Sequence, residues 1–581
     1  MLAAVQLAIA AWIANLSVYF AYGAPPLRRP IPLVVLLLMT ASLLHLLSVH
    51  VGRRIAATRK LVWTILGVAI ALRAIWLVSH PILEIDIYRY MWDGAVMAQG
   101  VSPFDYSPLR VQQADPNTET IGPQLQRLVE LREADWRLHE ILRRVHFAEI
   151  RTIYPPVSQA VFALATAITP SRAEIATRLL VMKLVLVVFD MSVLAMLLHL
   201  LRRCDLHPSA SILWGWSPLV LKEFAGSGHL DSIAVALCMA ALLVAVDAWR
   251  ASPGGRFGWS VGGLLLGLAV GAKLYPIVLL PLLGHAARLR SGWGAGLQTV
   301  AICGLASCMT LAPMVYATLN PPADAPSRPF EPPPPPPTMT ESPPGSPNAV
   351  ASPLPAQVDP DERHQTALAE ARRTDGLRAF LSRWQMNDLF FMVIEENVRP
   401  ASARLAAVTP WFAVTTDRFR ASVAEWVAEF SGLEPERAGF WIARAITGGM
   451  LVIIAVVLTV RLPPTDSPRV LLAAAGLTLA WLWMLSPTQN PWYWSWALPL
   501  VPFVRNSAWK WVSTFALLYY LRFWFAYQFQ GRSVWGTHYQ GADFFDFVVV
   551  WWEHLPIWCA LIVGAVWHRV RVEPLAGPVR D

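Results

Sequence analysis

The chain has 581 residues, 55% hydrophobic and 15% charged, with a mean hydropathy of +0.44. Soluble domains usually carry about 25% charged residues, so this composition excludes a freely soluble enzyme and predicts an all-α polytopic membrane protein. The net charge of +8 is no nucleic-acid signature. Its basic residues, among them Arg53, Arg54, Arg59, Lys60, Arg202, Arg203, Arg288, Arg290, Arg569 and Arg571, fall largely in short loops and the C-terminal tail, the pattern of loops that stay cytoplasmic.

Residues 1–80 read as N-terminal transmembrane helices, with spans at 4–22, 31–50 and 61–79. The first lacks a basic leading region and reads as a retained anchor, with cleavage near Ala24 as the alternative. Residues 81–176 form a first external loop with an acidic motif. Within it, 122–147 repeats Leu125, Leu128, Leu131, Trp136, Leu138, Ile141 and Leu142 at near-helical spacing. That pattern fits an amphipathic helix on the membrane face or a cap over the bundle. Residues 154–170 are apolar yet begin and end on the external side, which predicts a re-entrant or interfacial segment.

Residues 177–316 hold central spans at 177–201, 209–225, 231–249, 258–272, 275–288 and 296–316. The two that meet at Lys273-Leu274-Tyr275-Pro276 are short and suit a broken pair dipping toward a pocket. Residues 317–440 form an external insertion. Sixteen of the 47 prolines lie in 321–360, including the Pro332 to Pro337 run, which predicts an extended tether. Helical patterns follow near 361–384 and 417–430. Residues 441–581 hold spans at 441–461, 469–486, 492–506, 508–527 and 546–568, then a cytoplasmic tail. The bundle thus has about 13 to 14 spans with both termini inside. The five cysteines (Cys204, Cys238, Cys303, Cys308, Cys559) show no spacing for a disulfide framework or metal cluster.

This topology gathers polar residues on the external side. They are Glu84, Asp86, Arg89 and Asp93 of the first loop, Arg151 and Tyr154 before Pro155-Pro156, and Gln159. Lys222, Glu223, His229 and Asp231 follow between two spans. Lys273 and Tyr275 stand at the broken junction, and Gln489, Asn490 and Trp492 at a late turn. Each has a bland role: Glu223 and Asp231 cap helix ends, His229 is structural, Trp492 to Trp496 is an interfacial aromatic belt. The cytoplasmic loops, by contrast, are short and simply basic. A carboxylate here suits activation of an acceptor hydroxyl, and Arg89, Lys273 and His229 suit a phosphate. Glu84 and Asp86 are also able to offer oxygen ligands to a divalent cation (Mg or Mn), although Glu-x-Asp occurs by chance in many loops.

The run from Asp86 to Gly94 with Gly100-Val101-Ser102-Pro103-Phe104, then Thr152 to Pro156, Trp216-Ser217-Pro218-Leu219 through Gly228-His229-Leu230-Asp231, and Lys273 to Pro276 resemble the GT-C superfamily of integral-membrane glycosyltransferases. The likeness is to a bacterial mannosyltransferase-like branch and covers most of 60–290 plus Ser486 to Trp494. It implies a polyprenyl-phosphate sugar donor, a lipid or glycan acceptor, and an active site facing the periplasm from a multi-pass protein of the inner (cytoplasmic) membrane. It also implies an acidic residue as base, falling on Asp86 with Glu84 second. Many members carry adjacent acids or Asp-x-Asp there; the Glu-x-Asp spacing leaves metal dependence open. In this chain the large external segment precedes the last five spans, whereas some relatives carry one at the C-terminus. A transporter or flippase for a polyprenyl-linked lipid, or a scaffold in envelope assembly, are the rivals. No internal repeat is visible, and the charges cluster at span ends, not mid-span.

Overall fold

The computed structural model describes residues 1–251, 255–325, 385–401, 408–432 and 434–572. Among them the secondary structure is helical, apart from two isolated bridges, Met386 to Thr488 and Ser533 to Gln540. Eight helices are long and apolar enough to cross a membrane: Leu2–Phe20, Ile31–Gly52, Arg59–Leu77, Ile175–Arg203, Asp231–Arg250, Tyr275–Leu319, Ala438–Val460 and Gly541–Gly564. Pro156–Ile168, Phe257–Ala272 and Arg469–Leu485 are shorter apolar helices.

Three stretches expected as spans are broken. Residues 208–226 run as 3-10, α and π turns, interrupted at Gly215 and Pro218, where a missing N–H or Cβ weakens the helix. Residues 491–503 are 3-10 turns started by Pro491 and containing Pro499 and Pro502. Residues 507–528 alternate between 3-10 and α. The expected pair at 275–288 and 296–316 becomes a 3-10 turn, Tyr275–Leu279, and a helix, Leu280–Leu319, that Gly292 at φ 82 breaks. The two arms fold back: a Cβ on Gly296 would stand 2.8 Å from the Gly284 carbonyl oxygen.

Buried charge inside the bundle is matched. Arg73 of the Arg59–Leu77 helix donates to both oxygens of Asp190 in Ile175–Arg203, at 2.8 and 3.0 Å. Trp214 Nε1 adds a third donor to Asp190 at 2.9 Å. Either charge alone in an apolar bundle would be strongly unfavourable.

Helix Ile87–Ala98 carries the acidic motif and packs on Pro156–Ile168. The approach is close because residue 94 is glycine: a Cβ there would lie 2.5 Å from the Phe162 carbonyl oxygen. One turn earlier Tyr90 stacks on Phe162, rings 4.6 Å apart. Pro156–Ile168 has 13 residues, about 20 Å of helix, too short for a ~30 Å apolar core.

The 122–147 pattern forms two helices, Pro123–Ala134 and Trp136–Arg143, split where Asp135 caps the second through Arg137 N–H at 2.9 Å. Leu125, Leu128, Leu138, Ile141 and Leu142 are buried within the protein. Trp136–Arg143 packs on the Ile87–Ala98 helix and Pro123–Ala134 packs on Trp136–Arg143, as a cap over the bundle would, while Trp136 stays exposed. In the insertion, the Pro332 to Pro337 run and the 361–384 pattern lie outside the described residues. The last pattern forms Asp417–Ser431, capped by Thr416 and closed by Gly432 at φ 69. All five cysteines are free.

Candidate active site

Asp86 stands as the N-cap of Ile87–Ala98 but its side chain makes no cap hydrogen bond. Its carboxylate instead accepts from the Tyr154 hydroxyl at 3.1 Å, at Oδ2. Tyr154 is placed by Pro155 and Pro156, which open the following helix. Two residues before Asp86, Glu84 Oε1 lies 3.5 Å from the Tyr519 hydroxyl. Burial pushes the Glu84 carboxyl up to about 7, while Lys222 and His229 pull it back.

Arg89 and Asp93 face each other one helical turn apart, Nε to Oδ1 at 2.9 Å. Arg89 Nη2 also donates to the Ile150 carbonyl at 2.9 Å. Gln159 fixes the other side of Asp93, donating to Oδ2 at 3.0 Å. The acidic motif is thereby clamped to the 150–159 segment.

His229 follows Gly228, which turns the chain at φ 73. A side chain at 228 would meet Ile87 Cδ1 at 2.4 Å, so this glycine lets the histidine turn pass against the start of the acidic helix. The His229 ring stacks on Trp492 at 4.3 Å, and its Nε2 is 3.2 Å from Glu223 Oε2. Glu223 is fully buried in the π turn and holds Lys222 at 3.3 Å and the Tyr520 hydroxyl. Asp231 begins the next helix and accepts from Lys273 Nζ and Trp496 Nε1, both at 2.6 Å. Lys273 Nζ also sits 4.5 Å over the Tyr493 ring.

These elements enclose a cavity of about 150 Å³. Of the residues singled out from sequence, Glu84, Asp86, Arg89, Arg151, Tyr154, His229, Asp231, Lys273, Asn490 and Trp492 line it. Asp93, Glu223, Tyr275 and Gln489 stand behind the wall. Asp93 pairs with Arg89, and the Glu223 backbone carbonyl accepts from the His229 N–H at 2.9 Å. Tyr275 stacks flat on Trp496 at 4.0 Å, and Gln489 donates to the Met484 and Ser486 carbonyls. Tyr493 of the Ser486 to Trp494 motif also lines it, and lining residues that the motifs did not reveal include Met386, Tyr519 and Arg522. Arg522 is bidentate to Asp546 at 2.9 and 3.0 Å. Met386, Tyr519 and Arg522 sit in apolar or insertion sequence with no motif around them.

Among the described residues no group of three or more His, Cys, Asp or Glu side chains is placed to hold a metal ion. Asp86 and Glu84 instead face tyrosine hydroxyls. This donor set does not fit a divalent cation, and the chemistry derived below uses none.

No curated protein and no solved structure matches the chain. A family model does: alpha-(1->6)-mannopyranosyltransferase, N-terminal domain, over residues 2–288. That range carries the acidic motif, the Tyr154 segment, the histidine turn and Lys273, and so most of the cavity's polar wall. Residues 2–288 thus match the alpha-(1->6)-mannopyranosyltransferase family, a GT-C type, and the match supports a membrane glycosyltransferase.

Proposed function

We propose that the protein transfers mannose from a polyprenyl-phosphate donor to an acceptor hydroxyl, on the external face of a bacterial cytoplasmic membrane, by a single inverting displacement. The observation that carries this reading is Asp86. Its carboxylate lines the cavity with a tyrosine as its hydrogen-bond partner and no cation within ion-pair distance among the described residues, while Arg89 and Lys273 line the same cavity. A carboxylate so placed can take a proton, and the cations supply the charge that a departing phosphate needs.

The acceptor hydroxyl gives its proton toward Asp86 as its oxygen attacks the anomeric carbon. The bond from that carbon to the phosphate oxygen breaks on the opposite face, which inverts the configuration. Arg89 spends Nε and Nη2 on Asp93 and Ile150, leaving Nη1 for the phosphate. Lys273 spends one donor on Asp231 and has two left. Each such donor is worth about 3–4 kcal/mol at developing charge, and a general base adds ~10²–10⁴ in rate. His229 and Trp492, stacked face to face, offer a flat surface for a sugar ring. The concentration of basic residues in the opposite set of loops supports the external orientation.

The test is turnover of purified Asp86→Asn with a polyprenyl-phosphate mannose donor. The expected result is a loss of at least about a hundredfold. Turnover above roughly a tenth of wild type removes Asp86 as base. Arg89→Ala should raise the donor KM more than the acceptor KM; equal changes argue against a phosphate role.

A further inference from the structure

One part of the cavity wall comes from the insertion. Met386 lines the cavity together with Tyr519, Asn490 and Trp492, although it belongs to the segment that follows the proline-rich tract. Its seat is built from several independent bonds. The Met386 N–H donates to the Pro487 carbonyl at 2.9 Å, and its own carbonyl accepts from the Gln489 N–H at 2.9 Å. Asn387 is buried at φ 53, a left-handed conformation that asparagine tolerates better than most residues. Its Nδ2 donates to the Gln489 carbonyl at 3.0 Å and to Glu553 Oε1 at 2.9 Å. Asp388 Oδ1 then accepts from the Met392 N–H at 2.6 Å at the start of Phe390–Val398. A mere spacer has no use for this arrangement. Burying Asn387 and Glu553 is unfavourable without partners, so the bonds from Asn387 Nδ2 favour this one position of the segment.

The side chain then points to its role. The Tyr519 hydroxyl lies 3.0 Å from Met386 Sδ and 3.5 Å from Glu84 Oε1. One hydroxyl thus separates the thioether from the acidic loop that carries Asp86. Methionine is unbranched and polarizable, suited to packing on the apolar face of a ring whose substituents vary.

We propose that Met386 is a specificity-determining residue, packing against the acceptor sugar on the Asp86 side of the cavity, so that the insertion takes part in choosing the acceptor. This rests on the glycosyl-transfer reading above.

The experiment uses the full chain in nanodiscs, with polyprenyl-phosphate mannose as donor and octyl α-mannoside or octyl α-(1→6)-mannobioside as acceptor. Met386→Ala should raise the acceptor KM by roughly three- to tenfold and leave the donor KM within about twofold, with Tm unchanged. Met386→Trp should exclude the longer acceptor before the shorter. An unchanged acceptor KM in Met386→Ala, or an equal rise in both KM values, overturns the proposal. A second arm reads without chemistry. Met386→Cys, in a background with the exposed Cys308 and Cys559 replaced by serine, should react with a polar maleimide and be protected by octyl α-mannoside. Absence of labelling or of protection overturns the proposal. Labelling with protection, alongside a wild type that transfers no sugar, places the fault with the transfer reading instead.

Discussion

The Tyr154 hydroxyl donates to Asp86 Oδ2 at 3.1 Å, joining the acidic motif to the segment before Pro155-Pro156. Asp86 does not cap its own helix, so this bond is what orients its carboxylate. A hydrogen bond to a charged group contributes about 1.5–3 kcal/mol. Tyr154→Phe should therefore lower kcat by about ten- to a hundredfold with little change in either KM. In the Tyr154→Phe background, Asp86→Asn should cost much less than it does alone. Simple additivity in that double-variant cycle would show that the two residues do not act as a unit.

Glu84 predicts a pH dependence of stability. Its carboxyl is raised from an ordinary 4.5 to about 7, chiefly by burial. The folded protein therefore binds this proton more tightly than the unfolded chain. The stabilisation is fully present below about 4.5 and is lost as pH rises through about 7. Glu84→Gln, which cannot ionise, should be the more stable protein at pH 8 and should lose that advantage by pH 5. Thermal melts in detergent at pH 5, 6, 7 and 8 would read the difference; a gap between the two proteins that stays constant with pH sinks the idea.

Asp231 and Lys273 separate structure from chemistry. Asp231 is 1% exposed and takes 2.6 Å bonds from Lys273 and Trp496. Lys273→Met leaves that carboxylate with the indole alone, and removing one partner of a buried pair costs about 3–5 kcal/mol. Asp231→Asn combined with Lys273→Met should recover most of the lost stability but little activity, because one of the two cations proposed for the phosphate is still missing. A double variant as unstable as the single one would show that the pair is not what holds this junction. Restored activity would show that Lys273 has no part in transfer.

Gly228 sets the spacing between the histidine turn and the acidic helix. At φ 73, with Ile87 Cδ1 2.4 Å from where a Cβ would stand, Gly228→Ala should cost about 1–2 kcal/mol from backbone strain alone, plus the clash. Ile87→Val removes Cδ1 and should restore part of both Tm and activity in Gly228→Ala. No rescue would place the damage in the backbone and not in this contact.

Much of the candidate site is legible in the sequence. Arg89 and Asp93 stand four apart on a helix, a spacing that brings side chains together by itself, and Tyr154 was marked by the prolines behind it. Where the sequence misled, the reason was local. Stretches 209–225, 492–506 and 508–527 are apolar enough to read as spans, but short 3-10, α and π turns break them. Hydropathy does not distinguish an apolar segment that crosses a bilayer from one that folds inside a bundle. The 122–147 stripe left two roles open because an apolar face serves lipid or protein equally well; the protein covers Leu125, Leu128, Leu138, Ile141 and Leu142 and leaves Trp136 exposed.

From composition and pattern alone came the all-α membrane architecture and the set of polar motifs, because a bilayer imposes its demand for long apolar helices residue by residue. The tertiary structure alone decided which of those polar groups face the cavity and which brace it. Lys273 finds Asp231, Glu223 finds Tyr520 and His229, and Met386 arrives beside Tyr519 through the three-dimensional path of the backbone. Such pairings span long stretches of sequence, and charge and hydrogen-bond energies depend on distances that no linear spacing encodes.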